Sequence, residues 1–246
     1  MPRYRTEIRF FLKVNIKMKN IAIIPARAGS KRLPKKNYEL FFGKPLFLYS
    51  YEHAIKSKLF DKVIVSTESN EIINLMQEYG IVQDYVRPEH LAQDNSSLID
   101  VCIDVIKFYG NKDFNNMCLL WATSPIVDEN DLITSYKKLI HNNIDGVVAC
   151  TEYTHTCDLV VEESDNKIKP LIPYKNFRQL YDGKKILFDC GAFSWIKTKN
   201  FLEERNWVAR KSMAYVLPHY KGIDLDTKED LELLSFYFEK YILNKI

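Results

Sequence analysis

The stretch that decides the fold runs from Asn20 to Asn37 and reads NIAIIPARAGSKRLPKKN. Its first six residues, Asn20–Pro25, form a short apolar run that is typical of a strand buried on both faces. The next twelve, Ala26–Asn37, form a loop rich in Lys and Arg. In open α/β sheets, ligands bind beyond the carboxyl ends of the strands. The segment therefore predicts the first strand of such a sheet, with a candidate ligand site directly after it.

Strand and helix patterns alternate through the first 150 residues. Apolar or β-branched runs predict further strands at Lys62–Thr67, Val82–Val86, Met117–Trp121 and Gly146–Thr151. Apolar spacing and cap residues predict helices at Pro45–Lys58, Ser69–Tyr79, Leu98–Tyr109 and Asp128–Asn142. Alternation of this kind implies βαβ crossovers. It predicts an α/β fold with a doubly wound, mainly parallel sheet.

The alternation stops at about Tyr153. Short strand patterns at Asp158–Glu163, Ile168–Ile172 and Ile186–Phe188 predict a small β-rich arm over about residues 153–188. The arm has many apolar residues for a projection, which favours a homodimer in which the arms are exchanged. After the arm, Gly191–Lys197 predicts a strand that returns to the sheet, and Asp230–Asn244 predicts the last helix.

Composition narrows the class of protein. The 246 residues suit one domain, placed at residues 19–246, and residues 1–18 are set apart as a basic N-terminal extension. Either Met18 is the natural start, or residues 1–17 are a loose extension. The formal net charge of +3 argues against a nucleic-acid partner. No apolar run is long enough for a membrane span, and the start lacks a signal-peptide core. Five cysteines without zinc-ligand spacing predict buried thiols in a cytoplasmic protein.

The basic loop has the composition of a phosphate cradle. Arg27, Lys31 and Lys36 supply cations, Ser30 supplies a hydroxyl, and Gly29 permits a tight turn. Backbone N–H groups in such a loop can form an anion-binding nest. Neither the Walker A pattern nor Gly-x-Gly-x-x-Gly is present. A solvated basic loop is the alternative, but the position of the loop after a strand favours a triphosphate site.

A pair of acids lies near the other end of the chain. Asp224 and Asp226 flank Leu225, and residues two apart on an extended chain point to the same side. Together they could bind Mg²⁺, which neutralises phosphate charge in phosphoryl transfer. The alternative is that Asp226 only caps the last helix beside Thr227. Because the basic loop predicts a triphosphate site, metal binding is the favoured role of the two acids.

The chain resembles the acylneuraminate, or nonulosonic acid, cytidylyltransferases, which include the CMP-sialic acid synthetases. The resemblance runs from about Lys19 to the C-terminus. It rests on an ordered set of motifs: the basic loop, Phe42–Leu46 (FGKPL), Ser66–Thr67, Arg87–Ala92 (RPEHLA), Thr123–Pro125 (TSP), Arg178–Gln179 and Ile223–Thr227 (IDLDT). It implies a Rossmann-like fold of the nucleotide-diphospho-sugar transferase type and transfer of CMP from CTP to an acidic nine-carbon sugar.

The resemblance also implies roles for residues. Arg27, Ser30 and Lys31 would hold the triphosphate, and Arg27 would steady the departing pyrophosphate. Arg27, Lys31 and Asp224 are the expected catalytic residues, and Asp224 and Asp226 the expected metal ligands. The expected nucleotide-binding set is Pro25, Ala26, Arg27, Gly29, Ser30, Lys31, Asn37, Arg87 and Ser97.

The sequence departs from the sialic-acid pattern where that family binds its sugar. Trp121-Ala122 replaces Gln-Pro, and the run from Asp189 to Trp195 has the form Asp-x-Gly-x-Phe-x-Trp. Both features are similar to the pseudaminic acid branch. Since a Trp ring nitrogen cannot accept a hydrogen bond, a less polar sugar face suits Trp121 better. Trp121 as an ordinary core aromatic is the alternative. The expected sugar-binding set is Trp121, Thr123, Ser124, Arg178, Gln179 and Asp189.

The predicted reaction is in-line attack of the sugar's anomeric hydroxyl on the α-phosphorus of CTP, with pyrophosphate leaving. Pseudaminic acid is the preferred acceptor, and sialic or legionaminic acid stays open. Two other functions also stay open. One is a nucleotide-sugar glycosyltransferase, since Asp224-Leu225-Asp226 has the form of its Asp-x-Asp motif. The other is a nucleotide-binding homologue without catalysis.

Overall fold

A computed structural model describes residues 18–152, 161–164, 167–170 and 186–244 of the chain. Its centre is a six-stranded sheet in the order β10-β6-β9-β5-β1-β4. The strands are β1 Asn20–Pro25, β4 Lys62–Ser66, β5 Asn116–Leu120, β6 Gly146–Glu152, β9 Leu187–Lys197 and β10 Ser212–Val216. Two small hairpins are separate: β2 Leu40–Phe41 with β3 Lys44–Pro45, and β7 Val161–Ser164 with β8 Lys167–Pro170.

Six helices accompany these strands within the described ranges. They are α1 Leu46–Ser57, α2 Asn70–Glu78, α3 Leu98–Tyr109, α4 Glu129–His141, α5 Thr198–Glu204 and α6 Lys228–Tyr241. Side chains cap several of them as the sequence predicts. The Asp128 and Thr227 side chains each accept a backbone N–H and complete a capping box at α4 and α6.

The sheet is mainly parallel, which confirms the predicted fold class. β1 pairs in parallel with β4 and β5, and β6 pairs in parallel with β10. Among these six strands, only β9 is antiparallel to its neighbours, β5 and β6. It lies between the parallel group β4, β1 and β5 and the parallel pair β6 and β10. The carboxyl ends of the parallel strands therefore lie at one edge, where the loops after β1, β4 and β5 meet.

Alternation along the strands builds a core on each face of the sheet. Ala22 and Ile24 of β1 pack with residues of α1, α2 and α4. Ile21 and Ile23 pack on the opposite face with residues of α3 and α5. All four side chains are fully buried. This is the pattern of a strand covered by helices on both sides.

A third core cluster lies outside the sheet and bears directly on the site. Leu33 of the basic loop and Leu225 between the two acids pack with Phe41, Leu234 and Phe238. Leu225 is fully buried, and Leu33 is 6% exposed. Burial of these two leucines brings the first loop and the segment before α6 to the same place.

Some of the predicted elements are wrong. Val82–Val86 is not a strand: the side-chain amide of Gln83 bonds to both the N–H and the carbonyl of Val65, so a side chain covers the edge of β4. Ile186–Phe188 does not belong to the arm, since Leu187 and Phe188 open the long strand β9. The sequence patterns also missed β10, α5 and the β2–β3 hairpin.

Other predictions are tested only in part. β7 and β8 form an antiparallel hairpin within the predicted arm, and the remainder of residues 153–185 lies outside the described residues. So does the extension, apart from Met18. Cys102, Cys118 and Cys190 are buried free thiols, and Cys150 is partly exposed. Cys157 is outside the described ranges. Across the part of the chain that is described, no helix is long and apolar enough to cross a bilayer.

Candidate active site

The basic loop and the acid pair meet through direct ion pairs. Lys36 donates from Nζ to Asp226 Oδ1 at 2.9 Å and to the Leu225 carbonyl at 2.7 Å. Arg32 Nη1 lies 2.6 Å from Asp226 Oδ2. Both oxygens of one carboxylate thus face cations of the first loop. The two segments that sequence reasoning singled out, far apart along the chain, form one site.

Two further cations of the loop share a different acid. Arg27 Nη1 lies 3.2 Å from Asp94 Oδ1, and Lys31 Nζ contacts Asp94 Oδ2. The loop that carries Asp94 follows β4 and the Arg87–Ala92 motif. Hydrogen bonding to Lys31 is the main cause that lowers the pKa of Asp94, with Arg27 also contributing. Asp94 is therefore ionised at neutral pH beside two predicted phosphate-binding residues.

Two adjoining cavities lie around these cations. One, of about 330 Å³, is lined by polar side chains that include Ser30, Lys31, Arg32 and Asp226. The other, of about 260 Å³, is lined by Pro25 and Arg87 and by apolar side chains of the loop after β4 and of α3. Arg27, Lys36, Asn37 and Asp94 line both. A nucleotide needs such a pair of spaces, one for the phosphates and one for the nucleoside.

Arg87 and Asn37 are fixed by hydrogen bonds at the floor of the second cavity. Arg87 is 4% exposed and donates to Ser66 Oγ at 3.0 Å and to the Ser66 carbonyl at 2.6 Å. Burial lowers the pKa of its guanidinium, though not enough to discharge it at neutral pH. Asn37 Nδ2 donates to the Arg27 carbonyl at 2.7 Å and closes the basic loop on itself.

Three predicted nucleotide-binding residues also have defined local structural roles. Gly29 is the central residue of a tight turn, as predicted: the Ser30 N–H donates to the Ala28 carbonyl at 2.9 Å, although the φ of Gly29 lies outside the left-handed region. Lys35, at φ 62°, takes the left-handed conformation in this loop instead. Ser97 Oγ accepts the Ile99 N–H as the cap of α3, while Ser96 lines the cavity. Ala26 is fully buried and donates to the Ser66 carbonyl.

Asp224, the first of the two acids, lies against Gly191 of β9. A Cβ added to Gly191, whose φ is +61°, would lie 3.5 Å from Asp224 Oδ1, so the carboxylate sits against bare backbone. Burial and then the neighbouring Asp226 raise the pKa of Asp224, against the opposing effect of Lys36 and Arg32. Asp224 is therefore the more readily protonated of the site's carboxyl groups for which a shift is resolved.

Two of the predicted sugar-binding residues, Ser124 and Asp189, bond to Gly191 beside Asp224. Ser124 Oγ donates to the Gly191 carbonyl at 3.3 Å, and Asp189 Oδ1 accepts the Gly191 N–H at 3.1 Å. Thr123 and Ser124 are almost fully buried. Trp121 is partly exposed, and its ring meets the edge of Trp207 at 6.1 Å between centroids. Arg178 and Gln179 lie outside the described residues.

Sequence reasoning missed three members of this site. Arg32 stood in the basic loop without an assigned role, yet it binds Asp226. Asp94 follows the Arg87–Ala92 motif closely and could have been suspected from that position. Trp207 gave no signal in the sequence; its Nε1 donates to Asp189 Oδ2 at 3.2 Å, a contact that only the fold creates.

Comparison with known proteins agrees with this geometry. A family model described as "Cytidylyltransferase" matches residues 21–240. The chain is 34% identical over 226 residues to a pseudaminic acid cytidylyltransferase of Campylobacter jejuni subsp. jejuni serotype O:23/36 (strain 81-176), covering 90% of this chain and 97% of that protein. It is 30% identical to an N-acylneuraminate cytidylyltransferase of Escherichia coli O18:K1:H7, covering 94% of this chain and 55% of that longer protein.

The fold also has solved counterparts. A structure of CMP:2-keto-3-deoxy-manno-octonic acid synthetase complexed with CTP superposes with a TM-score of 0.66 at 17% identity. The match covers 91% of this chain and all of that one. At this level of identity the likeness establishes the shared fold, in which β1, β4 and β5 present their loops at one edge.

Proposed function

The chain belongs to the cytidylyltransferase family, and on that premise we propose that it transfers CMP from CTP to the anomeric hydroxyl of pseudaminic acid, releasing pyrophosphate. It is a nucleotidyltransferase, which decides against the glycosyltransferase alternative. The observation that carries the proposal is the meeting of Lys36 and Arg32 with Asp226. Through that contact the cations of the basic loop and Asp226, one of the two acids, line the same cavity, which supports a shared role in binding the nucleotide.

We place the triphosphate in the polar cavity and the nucleoside in the adjoining one. Arg27, Lys31 and Lys36 surround the first cavity with positive charge, and Ser30 adds a hydroxyl. Arg offers a planar fork that matches phosphate oxygens. Arg87, Asn37 and Ser96 line the second cavity beside apolar side chains, which suits a base and a ribose.

The acid pair suits a Mg²⁺ ion that arrives with the nucleotide. In phosphoryl-transfer sites Mg²⁺ keeps several waters and is held by one or two carboxylates plus substrate phosphates. Asp224 and Asp226 provide two carboxylates, and no group of three or more His, Cys, Asp or Glu suited to a metal occurs among the described residues. A cation would relieve the repulsion by Asp226 that helps to raise the pKa of Asp224. When bound, the ion would neutralise phosphate charge.

Catalysis then consists mainly of positioning and charge stabilisation. Arg27 and Lys31 hold the β- and γ-phosphates and stabilise the pyrophosphate as it leaves. Asp224, next to Gly191 and Ser124, is the carboxylate placed to orient the anomeric hydroxyl and accept its proton. The oxygen of that hydroxyl bonds to the α-phosphorus as the bond to pyrophosphate breaks.

The acceptor would lie on Trp121, Trp207 and Asp189. The two rings form an edge-to-face wall, and Asp189 presents a carboxylate at its border. Such a wall favours a sugar face with a deoxy carbon or methyl group over a fully hydroxylated one. The name and 34% identity of the Campylobacter relative support the same choice.

The test is pyrophosphate release from CTP and Mg²⁺ with a panel of acceptors: pseudaminate, legionaminate, N-acetylneuraminate and an eight-carbon octulosonate. We expect the highest kcat/KM with pseudaminate. A clear preference for N-acetylneuraminate would overturn the argument from Trp121. Binding of CTP without turnover of any acceptor would instead identify a nucleotide-binding homologue that lacks catalysis.

We also propose that the protein acts in the cytoplasm as a homodimer. The apolar sequence of residues 153–185, of which the β7–β8 hairpin is the described part, supports exchange of arms. Sedimentation at micromolar concentration tests the dimer, and a single monomeric species would exclude it.

A further inference from the structure

One ammonium group, that of Lys221, joins the segment carrying Asp224 to the start of α4. Lys221 Nζ lies 2.7 Å from Asp128 Oδ2 and 2.6 Å from Asp131 Oδ2. The side chains of Lys221, Asp128 and Asp131 are 11%, 34% and 10% exposed. Lys221 lines none of the cavities that receive the nucleotide.

The two acids are themselves held rigidly. Asp128 Oδ1 accepts the N–H groups of Asn130 and Asp131, and Asp131 Oδ2 accepts the Asp128 N–H, which completes the capping box of α4. Tyr215 donates its hydroxyl to Asp131 Oδ1 at 3.1 Å. Lys221 therefore binds to a platform fixed by a helix end and by strand β10.

The segment between Lys221 and Asp224 has little freedom. A short turn bonds Gly222 N to the His219 carbonyl, and a Cβ on Gly222 would lie 3.1 Å from Cys190 and Thr151. Beyond Asp224, Leu225 is fully buried. The backbone around Asp224 is thus held on both sides, by the ion pairs of Lys221 before it and by the buried side chain of Leu225 after it.

The platform of Asp128 and Asp131 also lies close along the chain to two of the predicted sugar-binding residues, Thr123 and Ser124. Asp128 follows Thr123-Ser124-Pro125 closely along the chain, and Ser124 bonds to Gly191 next to Asp224. A single cation therefore links the segment after β5 to the segment that carries Asp224. Buried ion pairs are weak evidence for stability but can fix one arrangement among several.

We propose that Lys221 is a positioning residue that holds Asp224 in place for the metal and the acceptor hydroxyl. The proposal deepens the proposed function and rests on the role given there to Asp224. Loss of the ammonium would let the 219–224 segment move, and a displacement of about 1 Å can lower a rate by about 100-fold. Outer partners of a metal site typically change metal affinity by about 10- to 100-fold.

The test compares Lys221→Met and Lys221→Arg with Lys197→Met as a matched control. Lys197 forms a more exposed pair with a single acid, Asp145, at 3.0 Å, and it lies at the carboxyl end of the antiparallel strand β9, away from the site. We expect K221M to lower kcat by about 10- to 100-fold with a CTP KM within about threefold of wild type. K221R should recover part of the loss, and K197M should match wild type.

A second readout avoids turnover. Mn²⁺ binding to the protein–CTP complex without acceptor, followed by electron paramagnetic resonance, should weaken in K221M by about tenfold or more and stay unchanged in K197M. Equal Mn²⁺ affinity in K221M and wild type would overturn the proposal.

A double variant separates positioning from folding. Lys221→Met with Asp128→Asn keeps the net charge of the cluster, and Asn caps a helix as well as Asp does. We expect it to regain thermal stability but not kcat. Recovery of both would show that the ion pairs only stabilise the fold.

Asp224→Asn serves as a reference that separates the two proposals. If it retains wild-type activity, the proposed function fails. An inactive D224N together with a fully active K221M would refute this inference alone.

Discussion

Lys36 reaches 190 residues along the chain to bind Asp226 at 2.9 Å and the Leu225 carbonyl at 2.7 Å. The contact is possible because Leu33 and Leu225, each next to the charged residues, share one apolar cluster with Phe238. Hydrophobic burial therefore brings the charges together, and the ion pair sets their final geometry. In the proposed reaction, Lys36 lies between the triphosphate and the acid pair.

Removing this ammonium should disable the enzyme without unfolding it. We expect Lys36→Met to lower kcat/KM for CTP by about 100-fold, because a fixed donor facing developing phosphate charge is lost. Lys35→Met is the matched control, since Lys35 lies in the same loop but pairs with exposed Glu71. Steady-state kinetics with pyrophosphate detection measures both. Similar losses in the two variants would indicate that the loop only needs positive charge.

Stability as a function of pH should report the environment of Asp224. Burial, and then Asp226, raise the pKa of this carboxyl, so the folded state binds its proton more tightly than the unfolded state does. Ionised Asp224 therefore destabilises the fold once the pH rises above the unfolded value of about 3.9. We expect Asp224→Asn to raise the melting temperature at pH 7, with the difference vanishing towards pH about 3–4.

The pKa of Asp230 is shifted in the opposite direction from that of Asp224. Although burial raises its pKa, hydrogen bonds from the Asp226 N–H and from Thr227 outweigh that effect and lower it. Its stabilisation is therefore present above the unfolded pKa and lost as the pH falls through the folded one. Asp230→Asn should lower the melting temperature at pH 7. Equal effects of D224N and D230N in one direction would contradict the assigned environments.

Asp94 should act as an internal competitor of the nucleotide. It pairs with Arg27 and Lys31, the same cations proposed to bind the triphosphate. We expect Asp94→Asn to tighten CTP binding by about two- to fivefold at low salt, since exposed pairs are weak. The gain should fade at about 1 M salt, where the Debye length is about 3 Å.

Calorimetric titration of CTP without acceptor measures this effect. Asp84→Asn is the control, because Asp84 is an exposed acid that pairs with Lys62 and Tyr109 and lines neither cavity. Weaker binding of CTP by D94N would show that Asp94 serves the bound nucleotide instead of competing with it.

The sequence predicted the elements whose signals are local. Asn20–Pro25 and Leu98–Tyr109 match the structure to the residue, because an apolar run marks the strand and apolar spacing that ends at Gly110 marks the helix. Val82–Val86 failed, because the Gln83 side chain took over the hydrogen bonds that a neighbouring strand would have made. Strand β10 was missed, since its exposed side chains at one edge of the sheet give no clear alternation.

For the site, too, the sequence predicted what depends on local motifs and missed what depends on contacts made by the fold. The basic loop and the acid pair are motifs, so their types and order were visible in the sequence. Which cation faces which acid was not, because Lys36 with Asp226 and Lys31 with Asp94 depend on how the loop after β1 turns. Trp207 was hidden for a similar reason: it lies in the loop between α5 and β10, and its partner Asp189 lies on β9.

Trp207 should therefore contribute to acceptor recognition through its ring nitrogen. Trp207→Phe keeps an aromatic ring beside Trp121 but removes the donor to Asp189 Oδ2, so that the carboxylate is held only through the Gly191 N–H on Oδ1. A hydrogen bond to a charged group is worth about 1.5–3 kcal/mol, less at a partly exposed site, so we expect the acceptor KM to rise by about fivefold or more. The KM for CTP should not change. Trp195→Phe is the control, since Trp195 is fully buried against Phe60 and its Nε1 has no hydrogen-bond partner among the described residues. It should lower the melting temperature and leave both KM values unchanged. A W207F variant with unaltered acceptor KM would remove the Trp207–Asp189 pair from the sugar site.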